Sequence, residues 1–137
     1  MSSKMIEYAK SYAKKAEFIQ MDIRELKFED NFFNGIWSVT SLLHLPKNEI
    51  PKALGEAYRV LKRNGIMYVC VKEGHGEELK PDLRYSKDAI KFYSYFKKDE
   101  IEKFLTWSGF SLLESRMADM GVKYLKEPQF KIFAIKK

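Results

Sequence analysis

The chain is expected to fold as an open α/β sheet, and three observations in its central third say so. Gly35 to Val39 is short, apolar and rich enough in β-branched residues for a buried strand. From Pro46 and Asn48 onward, Ile50, Ala53, Leu54, Ala57, Val60 and Leu61 recur at helical spacing and give one apolar face. Ile66 to Val71 is then a nearly unbroken apolar run, as expected of a strand covered on both faces. A strand, helix and strand of this length form a βαβ unit, whose strands run parallel with a right-handed crossover. Ligands of such sheets bind beyond the carboxyl ends of the strands, here Ser38 to Ser41 and Lys72 to Gly76.

Taken in order, Lys4 to Ala16 reads as an amphipathic helix capped by Ser2 or Ser3, its apolar face covering one side of the sheet. Phe18 to Ile23 reads as a short strand with Asp22 at its carboxyl end. Arg24 to Asn34 is a polar connection with Phe28, Phe32 and Phe33 embedded in it. In the central helix, Pro51 falls in the first turn, where a missing N–H costs little. Lys62 and Arg63 suit its carboxyl end, and Asn64-Gly65 stops it, because both residues tolerate a left-handed backbone.

Beyond the second strand, Gly74 to Ser86 reads as a polar loop and Ile90 to Phe96 as a short extended segment. Asp99 to Ser108 is a helix ended by Gly109. Phe110 to Met117 and Phe130 to Ile135 are the last two strands, and no helical pattern separates them, so they pair antiparallel.

Composition narrows the function. The 137 residues make one domain, 1–137, with 15% aromatic residues. No apolar run approaches a membrane span and no leader pattern is visible, so the expected location is cytoplasmic, without a membrane partner. One cysteine, Cys70, and two well-separated histidines give no metal-site spacing. The net charge of +6 admits an acidic partner, but the lysines lie scattered among acids, as in Lys97-Lys-Asp-Glu, and no nucleic-acid motif is present. Nucleic acid is therefore not the expected partner.

Asn34-Gly-Ile-Trp-Ser, Leu-Leu-His-Leu-Pro and Glu56-Ala-Tyr-Arg-Val-Leu-Lys-Arg-Asn-Gly resemble, in order and spacing, the central part of a class I S-adenosylmethionine-dependent methyltransferase of the small-molecule type. Phe18-Ile-Gln-Met-Asp-Ile resembles that family's third strand, and Phe96-Lys-Lys-Asp-Glu-Ile to Gly109-Phe its late helix and sixth strand. The resemblance implies a partial Rossmann-like sheet, mostly parallel, with a C-terminal antiparallel strand pair and helices on both faces. It implies S-adenosylmethionine as cofactor and a small-molecule methyl acceptor.

By the same resemblance Asp22 accepts a hydrogen bond from the adenine amino group, Ile23 packs on the ring, and Ser38 and Val39 meet the methionine part. A carboxylate acceptor for an exocyclic amine is sound chemistry; the other reading of Asp22 is a cap on the following turn. His44 is a candidate general base or a packing residue under its loop. Glu73, His75, Arg84 and Tyr85 are candidates to face the acceptor, or ordinary exposed loop residues. No carboxylate pair or triad is visible, which fits methyl transfer, since aligning donor and acceptor does most of the work.

Neither the family's opening glycine-rich cofactor turn nor its ribose-binding acid is recognised in the chain, which is expected to be a methyltransferase domain truncated at its N-terminus. The strands on either side of Arg24–Asn34 are joined too closely for a parallel crossover. Either they slide together or a sheet edge stays open, and an open apolar edge pairs with another copy. A homo-oligomer through that edge is the expectation. The alternative function is a non-catalytic remnant acting as a homo-oligomeric interaction module.

Overall fold

The computed structural model describes residues 3–81, 89–118 and 127–137, with side chains from residue 6 onward. A four-stranded sheet has the order β1 (Phe33–Val39), β2 (Leu61–Lys72), β6 (Gln129–Ile135), β5 (Ser111–Met117). β1 and β2 are parallel: Ile36 faces Met67 and Ser38 faces Val69, and α2 (Ile50–Val60) bridges them. β6 runs antiparallel to both β2 and β5, so β1, β2 and β5 share one direction. The expected βαβ heart and the antiparallel C-terminal pair are both present, with β6 inserted between strands of the opposite sense.

Among the described residues, the helices α2 and α3 pack on one face of the sheet. Met67, Val69 and Val71 of β2 and Phe130, Ile132 and Ala134 of β6 join Ile50, Ala53, Leu54 and Ala57 of α2 and Ile101 and Leu105 of α3 (Lys98–Trp107) in a single core. The intervening strand residues point the other way, where Trp37 stacks on Tyr68 at 4.0 Å and Tyr68 meets Phe133 at 4.8 Å. Trp37 is 72% exposed there. Helices on both faces are therefore not what the described residues show: α2 and α3 share one side. Nor do the described residues of α1 (Ser3–Tyr12) cover the sheet as its pattern suggested: Tyr12 of its apolar face is exposed, as is Tyr8, and their hydroxyls lie 3.2 Å apart in a hydrogen bond.

Three further expectations are corrected. Phe18 to Ile23 is not a strand, because no neighbouring strand offers it a ladder. The central helix ends at Val60, not at Arg63. Leu61 is fully buried and already extended, paired with Phe33, and the N–H groups of Asn31 and Phe32 take the helix's last carbonyls, Arg59 and Val60, at 3.0 and 2.8 Å. Gly74 to Ser86 is not all loop: β3 (Glu77–Pro81) pairs antiparallel with β4 (Ile90–Ser94). All five β3 residues are exposed, so no alternation betrayed the strand.

Between Leu61 and Ile66 the ladder is interrupted, and Asn64 turns the chain with a left-handed φ of 62°. Gly65 is needed beside it for space. A Cβ there would lie 2.7 Å from Leu61 Cγ and 2.8 Å from the Lys62 carbonyl. Gly65→Ala should therefore cost about 1–3 kcal/mol in urea unfolding, the usual range for overpacking a tight site.

Candidate functional site

A cavity of about 300 Å³ runs along β1 from Phe33 to Ser38 and reaches the turn that follows the strand at Ser41 and Leu42. Ile36 and Ser38 of β1, Ala53 and Ala57 of α2, Ile23 and Leu42 are among the residues that wall it. Two of the four expected cofactor residues, Ile23 and Ser38, thus meet in one space. Val39 does not line it; alternation along β1 turns its side chain to the open face, 39% exposed.

Asp22 stands next to the cavity but is engaged. Its carboxylate accepts the Arg24 backbone N–H at 2.9 Å, Nε at 2.9 and 3.1 Å, and Nη2 at 2.6 Å. Those hydrogen bonds hold its carboxyl down at about 2. The turn-capping reading of Asp22 is realised, and each of its oxygens already accepts two hydrogen bonds from Arg24, so an incoming amine has to share or displace one of them.

After β1 the chain turns sharply. Thr40 has φ = 50°, a rare conformation for a β-branched residue, with its N–H on the Cys70 carbonyl at 3.0 Å. Strain of this kind concentrates at functional sites, and nothing in the sequence signalled it. The turn leads into a 3-10 segment, Leu42–His44, anchored by buried Leu42 and Leu43. His44 ends it, exposed, with Nδ1 2.9 Å from the Phe92 carbonyl of β4. A carbonyl only accepts, so Nδ1 carries the proton and, in the neutral ring, Nε2 holds the lone pair. The ring also leans on Tyr93, centroids 4.9 Å apart.

Glu73 and His75 do not line the cavity. Glu73 is exposed at the end of β2, its N–H on the Pro128 carbonyl. His75 lies in the β2–β3 turn and lines a separate hollow with Lys97, Asp99 and Trp107 beside α3. Gly74-His75-Gly76 has the letters G-x-G, but it follows β2 and leads into a hairpin rather than a helix. Arg84 and Tyr85 lie outside the described residues. Among the described residues no cluster of three or more metal-ligating side chains occurs, and no helix is long and apolar enough to cross a membrane.

A supporting network is built on Glu56 and Arg59, an i,i+3 charge pair whose spacing in the sequence is the signal for it. Arg59 donates to Glu56 at 2.8 and 2.9 Å, to Asp30 at 2.8 Å, and to the carbonyls of Leu26 and Phe28 at 2.8 Å. Glu56 accepts the Leu26 N–H at 2.7 Å. The pair thus clamps the wall of the cavity, residues 26–30, to α2. Arg59, helped by Leu26 N–H against partial burial, holds the Glu56 carboxyl down from 4.5 to about 2. A depressed carboxyl contributes stability that is complete above its unfolded value and is lost as pH falls through the folded one. Thermal melts should therefore show wild type losing its advantage over Glu56→Gln between about pH 4.5 and pH 2, and keeping it above that window.

Comparison with known proteins follows the same geometry. The family model described as Methyltransferase domain matches residues 1–69, which include β1, the turn, α2 and most of β2. A ubiquinone/menaquinone biosynthesis C-methyltransferase from Brucella canis is 41% identical over 56 residues, 41% of this chain and 20% of that protein. The chain thus spans about a fifth of the length of that curated relative. An S-adenosylmethionine-dependent methyltransferase structure from Methanosarcina mazei superposes with a TM-score of 0.84 at 21% identity, over 98% of this chain and 78% of that one. A 1,6-didemethyltoxoflavin-N1-methyltransferase from Burkholderia thailandensis, solved with 1,6-didemethyltoxoflavin and S-adenosylhomocysteine, gives 0.74 at 17% identity, over all of this chain and 58% of that one. With its family model matched over half of its length, and the fold in agreement, this chain belongs to the methyltransferase domain family.

Proposed function

We propose that this chain binds S-adenosylmethionine at the carboxyl end of β1 and transfers its methyl group to a small-molecule acceptor. The observation that carries the proposal is the meeting of Ile23 and Ser38 in one apolar cavity, within the stretch that the methyltransferase family model matches. About 300 Å³ is at the lower end for ligand sites, enough for a nucleoside base while a polar tail extends into the crevice. The cofactor supplies an electrophilic methyl group on a sulfonium.

The chain's own residues do the rest. Ile23 and Leu42 take the ring, and the Asp22 carboxylate, oriented by Arg24, accepts from its amine. Ser38 and the main chain at Val39 meet the methionine portion, and the strained turn at Thr40 fixes their direction. His44 presents Nε2 to the acceptor and takes its proton; Glu73, His75, Arg84 and Tyr85 belong to the acceptor side of the same proposal. The curated relatives named C-methyltransferases favour a carbon acceptor, which must lose a proton once the new bond forms. Residues 1–137 act as one domain and associate as a homo-oligomer.

Calorimetric titration with S-adenosylmethionine tests the reading. We expect Kd below about 1 mM, equivalent to about −4 kcal/mol, weakened by Ile23→Asp. No heat with wild type would overturn it.

A further inference from the structure

We infer that Ser94 and Glu77, a cross-strand pair of the β3–β4 hairpin, are positioning residues for His44. The inference rests on the role proposed for His44 above and names what sets its ring. Glu77 faces Ser94 on the first rung of the hairpin, so both side chains project from one face. Against that face lies the chain just after His44. The Ser94 hydroxyl donates to the Leu45 carbonyl at 2.6 Å, and the Glu77 carboxylate accepts the Lys47 N–H at 2.6 Å.

The hairpin's main chain supplies a third contact. Tyr95 N–H binds the Gly76 carbonyl at 3.0 Å, so the main-chain groups of Tyr95 and Tyr93 are turned toward β3. By alternation those of Phe92 and Ser94 point the other way, toward the turn. There the Phe92 carbonyl lies 2.9 Å from His44 Nδ1. Positions 44, 45 and 47 are thus each tied to the hairpin.

The local sequence explains why the turn needs that help. Leu45 is extended, with φ −103° and ψ 146°, and its own N–H returns to Leu42. Pro46 has no side-chain group to cap the 3-10 segment Lys47–Glu49, and Glu77 does so from 30 positions away. Ser94 is 0% exposed, and a buried hydroxyl has to be bonded. Its single proton goes to Leu45 rather than to the Glu77 carboxylate 3.4 Å away. Alanine would fill the same place in the strand; only a hydroxyl reaches the turn. Which ring nitrogen of a histidine carries the proton follows from the hydrogen bond the ring makes. Holding the turn against Phe92 therefore keeps the lone pair on Nε2, the nitrogen offered to the acceptor.

Spectra of the ¹⁵N-labelled imidazole rings, taken with the rings neutral, test the assignment. The chain has two histidines, and His75→Asn leaves His44 alone. Wild type should show one tautomer, protonated at Nδ1. Ser94→Ala and Glu77→Ala should each lose it, the Nδ1 and Nε2 resonances moving toward a common average under an unchanged far-UV spectrum. Glu77→Gln should restore the wild-type signal, because its amide oxygen still accepts from Lys47. Glu77 is exposed, so its variants carry the test even if Ser94→Ala unfolds the chain. The signal needs neither cofactor nor acceptor, so its outcome is separate from that of the calorimetric titration. A wild-type ring protonated at Nε2, a folded alanine variant with the tautomer unmoved, or Glu77→Gln as altered as Glu77→Ala would overturn the inference.

Discussion

Phe96→Ala will lower the unfolding free energy by about 3–5 kcal/mol, the cost of deleting a fully buried phenylalanine. For a chain of this size the melting temperature falls by more than about 10 °C. Phe96 is 0% exposed and joins the hairpin to the sheet. Its N–H binds the Lys72 carbonyl at 3.0 Å, and its carbonyl receives the Gly74 N–H at 3.1 Å. Its ring meets Phe104, and Lys47 Nζ lies 5.4 Å from its centroid. Lys47 in turn binds Glu100 at 2.7 and 2.8 Å, and through its N–H Glu77 at 2.6 Å. The cavity left by alanine therefore sits where β2, the hairpin and α3 converge. Phe96→Leu should cost clearly less. A loss below about 1 kcal/mol for alanine would mean that the hairpin is held by its surface bonds instead.

The second large effect concerns rate and rests on the proposed function. His44→Ala should reduce kcat by about 10²–10⁴-fold, the range for removing a general base, while the Kd for S-adenosylmethionine stays within a factor of about two. Losing the Phe92 hydrogen bond costs stability by only about 0.5–1.5 kcal/mol. His44→Asn separates the two roles. Its amide can still donate to the Phe92 carbonyl, so stability recovers, but it supplies no base and the rate stays low. Recovery of rate by asparagine would make His44 a positioning residue.

Much of this architecture was legible because burial and periodicity coincide. Ile50, Ala53, Leu54 and Ala57 announce α2, and all four are in the core. Ile66 to Val71 announces β2, and Met67 to Val71 are all buried. Signals failed where tertiary pairing outweighs local pattern. Lys62-Arg63 looks like a helix end, yet Leu61 has already left the helix to pair with Phe33. Phe18 to Ile23 has strand composition and no partner strand.

At the site, the residue types were readable but their engagement was not. Asp22 carried the right chemistry, and nothing in its neighbours fixed the Arg24 fork in advance. The Nδ1 proton of His44 depends on a carbonyl 48 positions away. The left-handed Thr40 contradicts its own propensity, as strained turns at ligand crevices do.

The most direct test is a titration of ¹⁵N-labelled protein with S-adenosylmethionine, followed by amide shifts. Binding at the carboxyl end of β1 predicts that the largest changes fall on Ile23, Leu26 and Ser38 to Leu42, with Trp107 and Lys103 unmoved. No saturable shifts, or shifts centred on the hollow beside α3, would contradict it.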